Sequence, residues 1–145
     1  MQLVIGGACA GKRELVRGWY PQARWHLLGA ADAMLPASGE RLVVSGWADW
    51  IEAAVERGAE DDDALRLALA ERLDALLAAE AKRAAQVVLI VAEMGRGIVP
   101  MGAARRRLRD LNGWLAQDAA VRCERVWYVR HGLHRRLDTR EMPIG

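Results

Sequence analysis

A chain of 145 residues is long enough for one domain and too short for two comfortable ones, so residues 1–145 are expected to form a single domain with its function on one core or between subunits. Hydrophobic residues make up 52% and charged residues 28%, a globular balance that excludes a disordered chain. Twenty-one Lys and Arg against nineteen Asp and Glu leave a formal net charge of +2, too weak a field to argue for a nucleic-acid or membrane-surface partner.

In chain order, Gln2-Leu3-Val4-Ile5 is short and apolar and runs into Gly6-Gly7-Ala8-Cys9-Ala10-Gly11-Lys12, the pattern of a buried strand followed by a glycine loop. From Lys12 to Trp19 the residues Leu15, Val16 and Trp19 recur at helical spacing, and Pro21 stops the helix. Pro21 to Glu40 is undecided: Trp25-His26-Leu27-Leu28 is a candidate short strand, and Pro36 to Gly39 is a loop. Arg41 to Ser45 is a second strand ended by Gly46. Trp47, Trp50, Ile51, Ala54 and Val55 then fall at helical spacing, with Gly58 as a C-cap. The acidic run Glu60-Asp61-Asp62-Asp63 precedes a long helix with a stripe of Leu65, Leu69, Leu73 and Leu76, and reads as helix capping in accord with the dipole. Val87 to Ala92 is the most apolar strand, a basic helix follows from about Gly102 to Ala119, and Arg125 to Val129 forms the last strand. Alternating helices and continuously apolar strands predict an α/β fold, a mostly parallel sheet with helices on both faces.

The Val87–Ala92 run falls far short of the roughly 20 apolar residues that span a bilayer. The N-terminus lacks a basic segment, apolar stretch and small-residue cleavage site. Two cysteines, Cys9 and Cys123, are too few for a disulfide framework or a four-thiolate metal site. A reduced cytoplasmic protein, with no membrane span and no nucleic-acid partner, is the expectation.

Three constellations carry chemistry. Gly6, Gly7, Ala8, Cys9, Ala10, Gly11 and Lys12 match the first seven positions of the phosphate-binding loop G-x-x-x-x-G-K-S/T. In such a loop, backbone N–H groups curl around an oxyanion, a helix N-terminus adds positive potential and the lysine reaches the terminal phosphates. The eighth position is Arg13, where a Ser or Thr hydroxyl would bind Mg²⁺, so phosphate binding is expected with metal handling altered. Next, Glu93 ends a buried strand at the sheet edge where ligands bind, and Gly95, Gly97 and Pro100 shape the following turn; a plain loop with a surface glutamate is the alternative. Finally, Arg105-Arg106-Arg107-Leu108-Arg109-Asp110 is a solvated face or a phosphate clamp, and less well suited to nucleic acid because no aromatics interleave it. His26, His131 and His134 have no partners at metal-site spacing and read as surface or structural histidines.

Together these residues resemble the bifunctional adenosylcobinamide kinase/adenosylcobinamide-phosphate guanylyltransferase family of cobalamin biosynthesis. The resemblance rests on Gly6 to Lys12, on Ala92 to Pro100 followed by Arg106-Arg107-Leu108-Arg109-Asp110 and Gly113, and on Val126 to Leu133; it covers residues 1–19 and 41–138. It implies a P-loop NTPase-like domain, GTP or ATP and Mg²⁺ as cofactors, a corrinoid substrate, and a homo-oligomer, trimeric in the family. It further implies Lys12 and Glu93 as catalytic residues, residues Gly6 to Arg13 around the phosphates, and Glu93 as a metal or substrate-hydroxyl contact. Gly95, Gly97, Arg106 and Arg109 are implied at the substrate or a subunit junction. The chain departs from the pattern at Arg13, at Ser45 in place of a strand-end aspartate, and in a shortened segment before Arg41, where the family carries its GMP-accepting histidine; His26 lacks the surrounding motif and is not assigned that role. The kinase half is therefore favoured, with a catalytically weak nucleotide-binding or regulatory subunit as the alternative.

Overall fold

The computed structural model describes residues 1–7, 9–58, 61–94 and 102–137. In chain order the elements are β1 (Gln2–Gly6), α1 (Lys12–Trp19), β2 (Arg24–Leu27), β3 (Arg41–Ser45), α2 (Trp47–Glu56), α3 (Asp62–Lys82), β4 (Gln86–Ala92), α4 (Ala103–Arg122), β5 (Arg125–Arg130) and β6 (Leu133–Arg136). They build a six-stranded sheet of order β2-β3-β4-β1-β5-β6. The first five strands in that order run parallel, and β6 adds antiparallel to β5. The predicted α/β architecture is the observed one.

Alternation along the strands divides the core into two layers. Leu3, Leu42, Val44, Val87, Leu89 and Val91 face one way and pack under α2, α3 and α4, whose contributions include Trp47, Ile51, Leu73, Leu76, Leu111 and Leu115. Val4, Val43, Val88, Ile90 and Val129 face the other way, toward Val16 of α1. Helices therefore cover both faces, but unequally: three on one, and α1 with the rings of Trp19, Tyr20, Trp25 and Trp127 on the other. The leucine stripe of α3 is buried at Leu69, Leu73 and Leu76. Asp61 caps this helix, its Oδ1 accepting from the N–H groups of Asp63 at 2.9 Å and Ala64 at 3.3 Å. Glu60 lies outside the described residues. Gly58 stands one residue past the Arg57 C-cap of α2 with φ +85° and donates its N–H to the Val55 carbonyl at 3.1 Å.

The candidate strand at Trp25–Leu28 is observed one residue earlier, as Arg24–Leu27, parallel to β3 at the sheet edge. The sheet also does not end at β5, because the chain turns at His131-Gly132 and returns as β6, all four residues of which are exposed. A strand with no apolar face leaves no alternation to read.

Leu73 is fully buried beneath the sheet, whereas Leu67, on the same helix, is 60% exposed. Leu73→Ala is expected to cost about 3 kcal/mol, by lost transfer energy plus the cavity left behind, and Leu67→Ala less than about 0.5 kcal/mol. Urea denaturation followed by circular dichroism measures both.

Candidate phosphate site

The loop after β1 is fixed by what crowds it. In the parallel register Gly6 lies opposite Ala92 of β4 and Val129 of β5. A Cβ on Gly6 would stand 2.4 Å from the Val129 carbonyl oxygen, so any side chain here would force the central strands apart. Cys9 (φ +58°) and Gly11 (φ +95°) then turn the chain through the left-handed region. The β5–β6 turn buttresses this curve: Gly132 donates its N–H to the Ala10 carbonyl at 2.8 Å, and a Cβ on Gly11 would meet the Gly132 Cα at 3.3 Å. Gly11 is the N-cap of α1 and supplies no side-chain cap, which leaves the helix's first N–H groups for a ligand. Ala8 lies outside the described residues.

Lys12 folds back over its own loop. Its Nζ donates to the carbonyls of Gly6 at 2.9 Å and Gly7 at 2.6 Å. Burial, and next the positive charge of Arg13, hold its pKa below the ordinary lysine value, against the pull of Cys9, Glu14 and Glu93. Beside it opens a cleft of about 240 Å³ lined by Cys9, Lys12, Arg13, Ser45, Gly46, Trp47, Ala48, Asp49, Ile90 and Ala92. The cleft sits over the end of β4 between the N-termini of α1 and α2. Both helices begin at a left-handed glycine without a side-chain cap.

Glu93 follows the last residue of β4. Its N–H donates to the Gly6 carbonyl at 2.7 Å, the same oxygen that Lys12 engages, and its Oε2 accepts from the Tyr128 hydroxyl at 2.6 Å. Behind it, the buried Asn112 of α4 donates from Nδ2 to the Ala92 carbonyl at 2.6 Å. The end of β4 is thus held from β1, β5 and α4 at once. Gly95 and Gly97, expected to shape the next turn, lie outside the described residues. Arg106 is exposed and Arg109 half-buried on α4; neither lines the cleft, and Arg109 contacts its neighbour Asp110 at 3.3 Å. Arg107, from the same basic run, pairs with Asp62 of α3.

Sequence reasoning did not single out Asp49 or Tyr128 as site residues. Asp49 occupies the first turn of α2 and reaches the cleft only because β3 and β1 flank β4. Tyr128 meets Glu93 across 35 residues through the β1–β5 register. His26 is 2% exposed on β2, and its Nδ1 lies 3.0 Å from Asp32 Oδ1, a structural pairing inside the fold. His134 packs edge-on against Trp19 and Trp127.

The donors around the loop do not fit the Mg²⁺ ion that a P-loop normally carries. The hydroxyl position is a guanidinium, Ser45 closes β3 in place of a carboxylate, and among the described residues that line the cleft Asp49 is the only carboxylate, Glu93 not being one of them. Among the described residues no group of three or more His, Cys, Asp or Glu is placed to hold a metal. No described helix is long and apolar enough to cross a membrane.

Residues 22–137 match the family described as cobinamide kinase / cobinamide phosphate guanyltransferase. The chain belongs to this family. The match takes in residues 22–40, which the resemblance had left out, and begins beyond the glycine loop, which thus stands on its geometry. A stretch of 67 residues is 43% identical to the bifunctional adenosylcobalamin biosynthesis protein CobP of Pseudomonas aeruginosa, covering 43% of this chain and 39% of that protein. Against the bifunctional adenosylcobalamin biosynthesis protein CobU of Salmonella typhimurium, 84 residues are 34% identical, covering 58% and 41%. Against CobU of Escherichia coli, 73 residues are 36% identical, covering 50% and 40%. The chain spans about two-fifths of the length of the curated relatives it matches.

Cys9 is exposed on the cleft wall, whereas burial pushes the thiol of Cys123 up to about 12. A thiol reagent at neutral pH is expected to modify Cys9 alone in the folded protein and both cysteines after denaturation. GTP or ATP should slow the Cys9 reaction several-fold, as read by mass spectrometry.

Proposed function

We propose that the chain is a single nucleotide-binding domain that transfers the terminal phosphoryl group of GTP or ATP to the hydroxyl of a corrinoid of the adenosylcobinamide type. The observation that carries this reading is the convergence on the Gly6 carbonyl, which accepts both from the ammonium group that would hold the phosphates and from the backbone N–H of Glu93, whose carboxylate would meet the acceptor. In the free protein, Lys12 is satisfied by its own loop carbonyls. A bound phosphate chain draws its ammonium group outward, while the N–H groups of the loop and of the α1 terminus take the oxygens as charge develops on them. Glu93, steadied by Tyr128, orients the acceptor hydroxyl and takes its proton. Arg106 and Arg109, away from the cleft wall, then clamp anionic groups or tie subunits together in a homo-oligomer. The second reading, a nucleotide-binding subunit with little catalysis, is favoured by Arg13 and Ser45, which remove two metal contacts from the cleft.

Incubation of the protein with adenosylcobinamide and each nucleoside triphosphate, with and without Mg²⁺, tests the reading by the appearance of phosphorylated corrinoid. Lys12→Ala is expected to weaken triphosphate binding at least about tenfold, or 1.4 kcal/mol. Glu93→Gln keeps the size and removes the charge; it should cut turnover about 100-fold with the fold intact, and near-normal turnover would reduce Glu93 to a loop cap.

Covalent guanylylation is expected to be absent or very slow, because His26 is buried and paired with Asp32. After incubation with labelled GTP and denaturation, little acid-labile label should remain on the protein. Stoichiometric label that vanishes in His26→Ala would overturn this.

A further inference from the structure

In a P-loop, the residue after the lysine ordinarily gives a hydroxyl to the magnesium ion that accompanies the triphosphate. Here that residue is Arg13, an exposed guanidinium in the first turn of α1, on the wall of the cleft beside Lys12. The two cations already repel: the charge of Arg13 works against protonation of Lys12. A divalent cation in the same place would meet repulsion from both. At the end of β3, where a carboxylate could offset that charge, Ser45 is buried and neutral. Asp49 is left as the carboxylate of the wall, exposed to water.

We propose that this cleft takes the phosphate chain of a nucleoside di- or triphosphate free of magnesium, the Arg13 guanidinium supplying the positive charge that the ion supplies elsewhere. The inference rests on the reading of Gly6 to Lys12 as a phosphate site. A guanidinium suits the task, because it stays charged at any physiological pH and presents paired N–H donors to two phosphate oxygens at once. The uncapped N-termini of α1 and α2 add positive potential from two directions. Asp49 opposes the phosphate chain, but from an exposed position where solvent screens its charge. With magnesium present, the nucleotide's own ion competes with Arg13 for the same oxygens.

Calorimetric titration of the full chain with GTP and with ATP, in EDTA and then in saturating magnesium, tests this. The expected result is binding in EDTA at least as tight as in magnesium. Arg13→Ser, at an exposed position and checked for an unchanged melting temperature, restores the loop hydroxyl with Asp49 on the same wall. It is expected to lose at least about tenfold affinity in EDTA and to regain it when magnesium is added. Magnesium tightening wild-type binding tenfold or more would overturn the inference and leave the phosphate site standing. Arg13→Ser binding as well as the wild type in EDTA would overturn it in the same way. Failure of both nucleotides to bind under either condition would remove the phosphate site and the inference together.

Discussion

Three strand ends meet at Gly6. Its missing side chain lets the Val129 carbonyl come within a distance that no Cβ tolerates, and its own carbonyl accepts from Lys12 and from the Glu93 backbone. Because the β4-β1-β5 register sets where each strand stops, it brings the loop lysine, the acidic end of β4 and the β5–β6 turn together, and side-chain bonds from Lys12, Tyr128 and Asn112 then hold them. The site stands on a parallel sheet buried on both faces, a rigid base for the side chains that complete it.

Most of the fold was legible because the strands that matter are buried runs. Val87 to Ala92 has no polar residue to mislead, and the stripe of α3 repeats at helical spacing through four leucines. The rest depended on tertiary placement. β2 is four residues long and mixes Arg, Trp, His and Leu, because as an edge strand it is half exposed. β6 has no apolar face at all. The glycine loop and Glu93 stand out in the chain as candidates, whereas the approach of Tyr128 to Glu93 and of Asp49 to the cleft exists only once the strand order is known.

The aromatic composition, six Trp and no Phe, acquires a use in the folded chain. Trp47 alone is deep core, its Nε1 donating to the Val44 carbonyl at 3.2 Å. Others are platforms for guanidinium groups: Arg17 over Trp25 at 4.8 Å, Arg72 over Trp50 at 4.9 Å and Arg66 over Trp114 at 5.3 Å. An indole offers a broad π face to a cation and an N–H to a carbonyl, and phenylalanine lacks the latter. Lysine is scarce in this arginine-rich chain, at Lys12 and Lys82. At the loop a compact, mobile ammonium differs in kind from the planar guanidinium beside it.

The unequal covering of the sheet bears on how the protein breathes. Three helices interlock over one face, whereas α1, only eight residues long, closes the other and begins at the glycine loop. Amide exchange in such a molecule is expected to be graded, α1 opening as a small unit before the α3–α4 layer yields. A ligand taken up at that loop would therefore act on the thin side of the molecule, the part with the least to hold it, and would leave the thick side as it was.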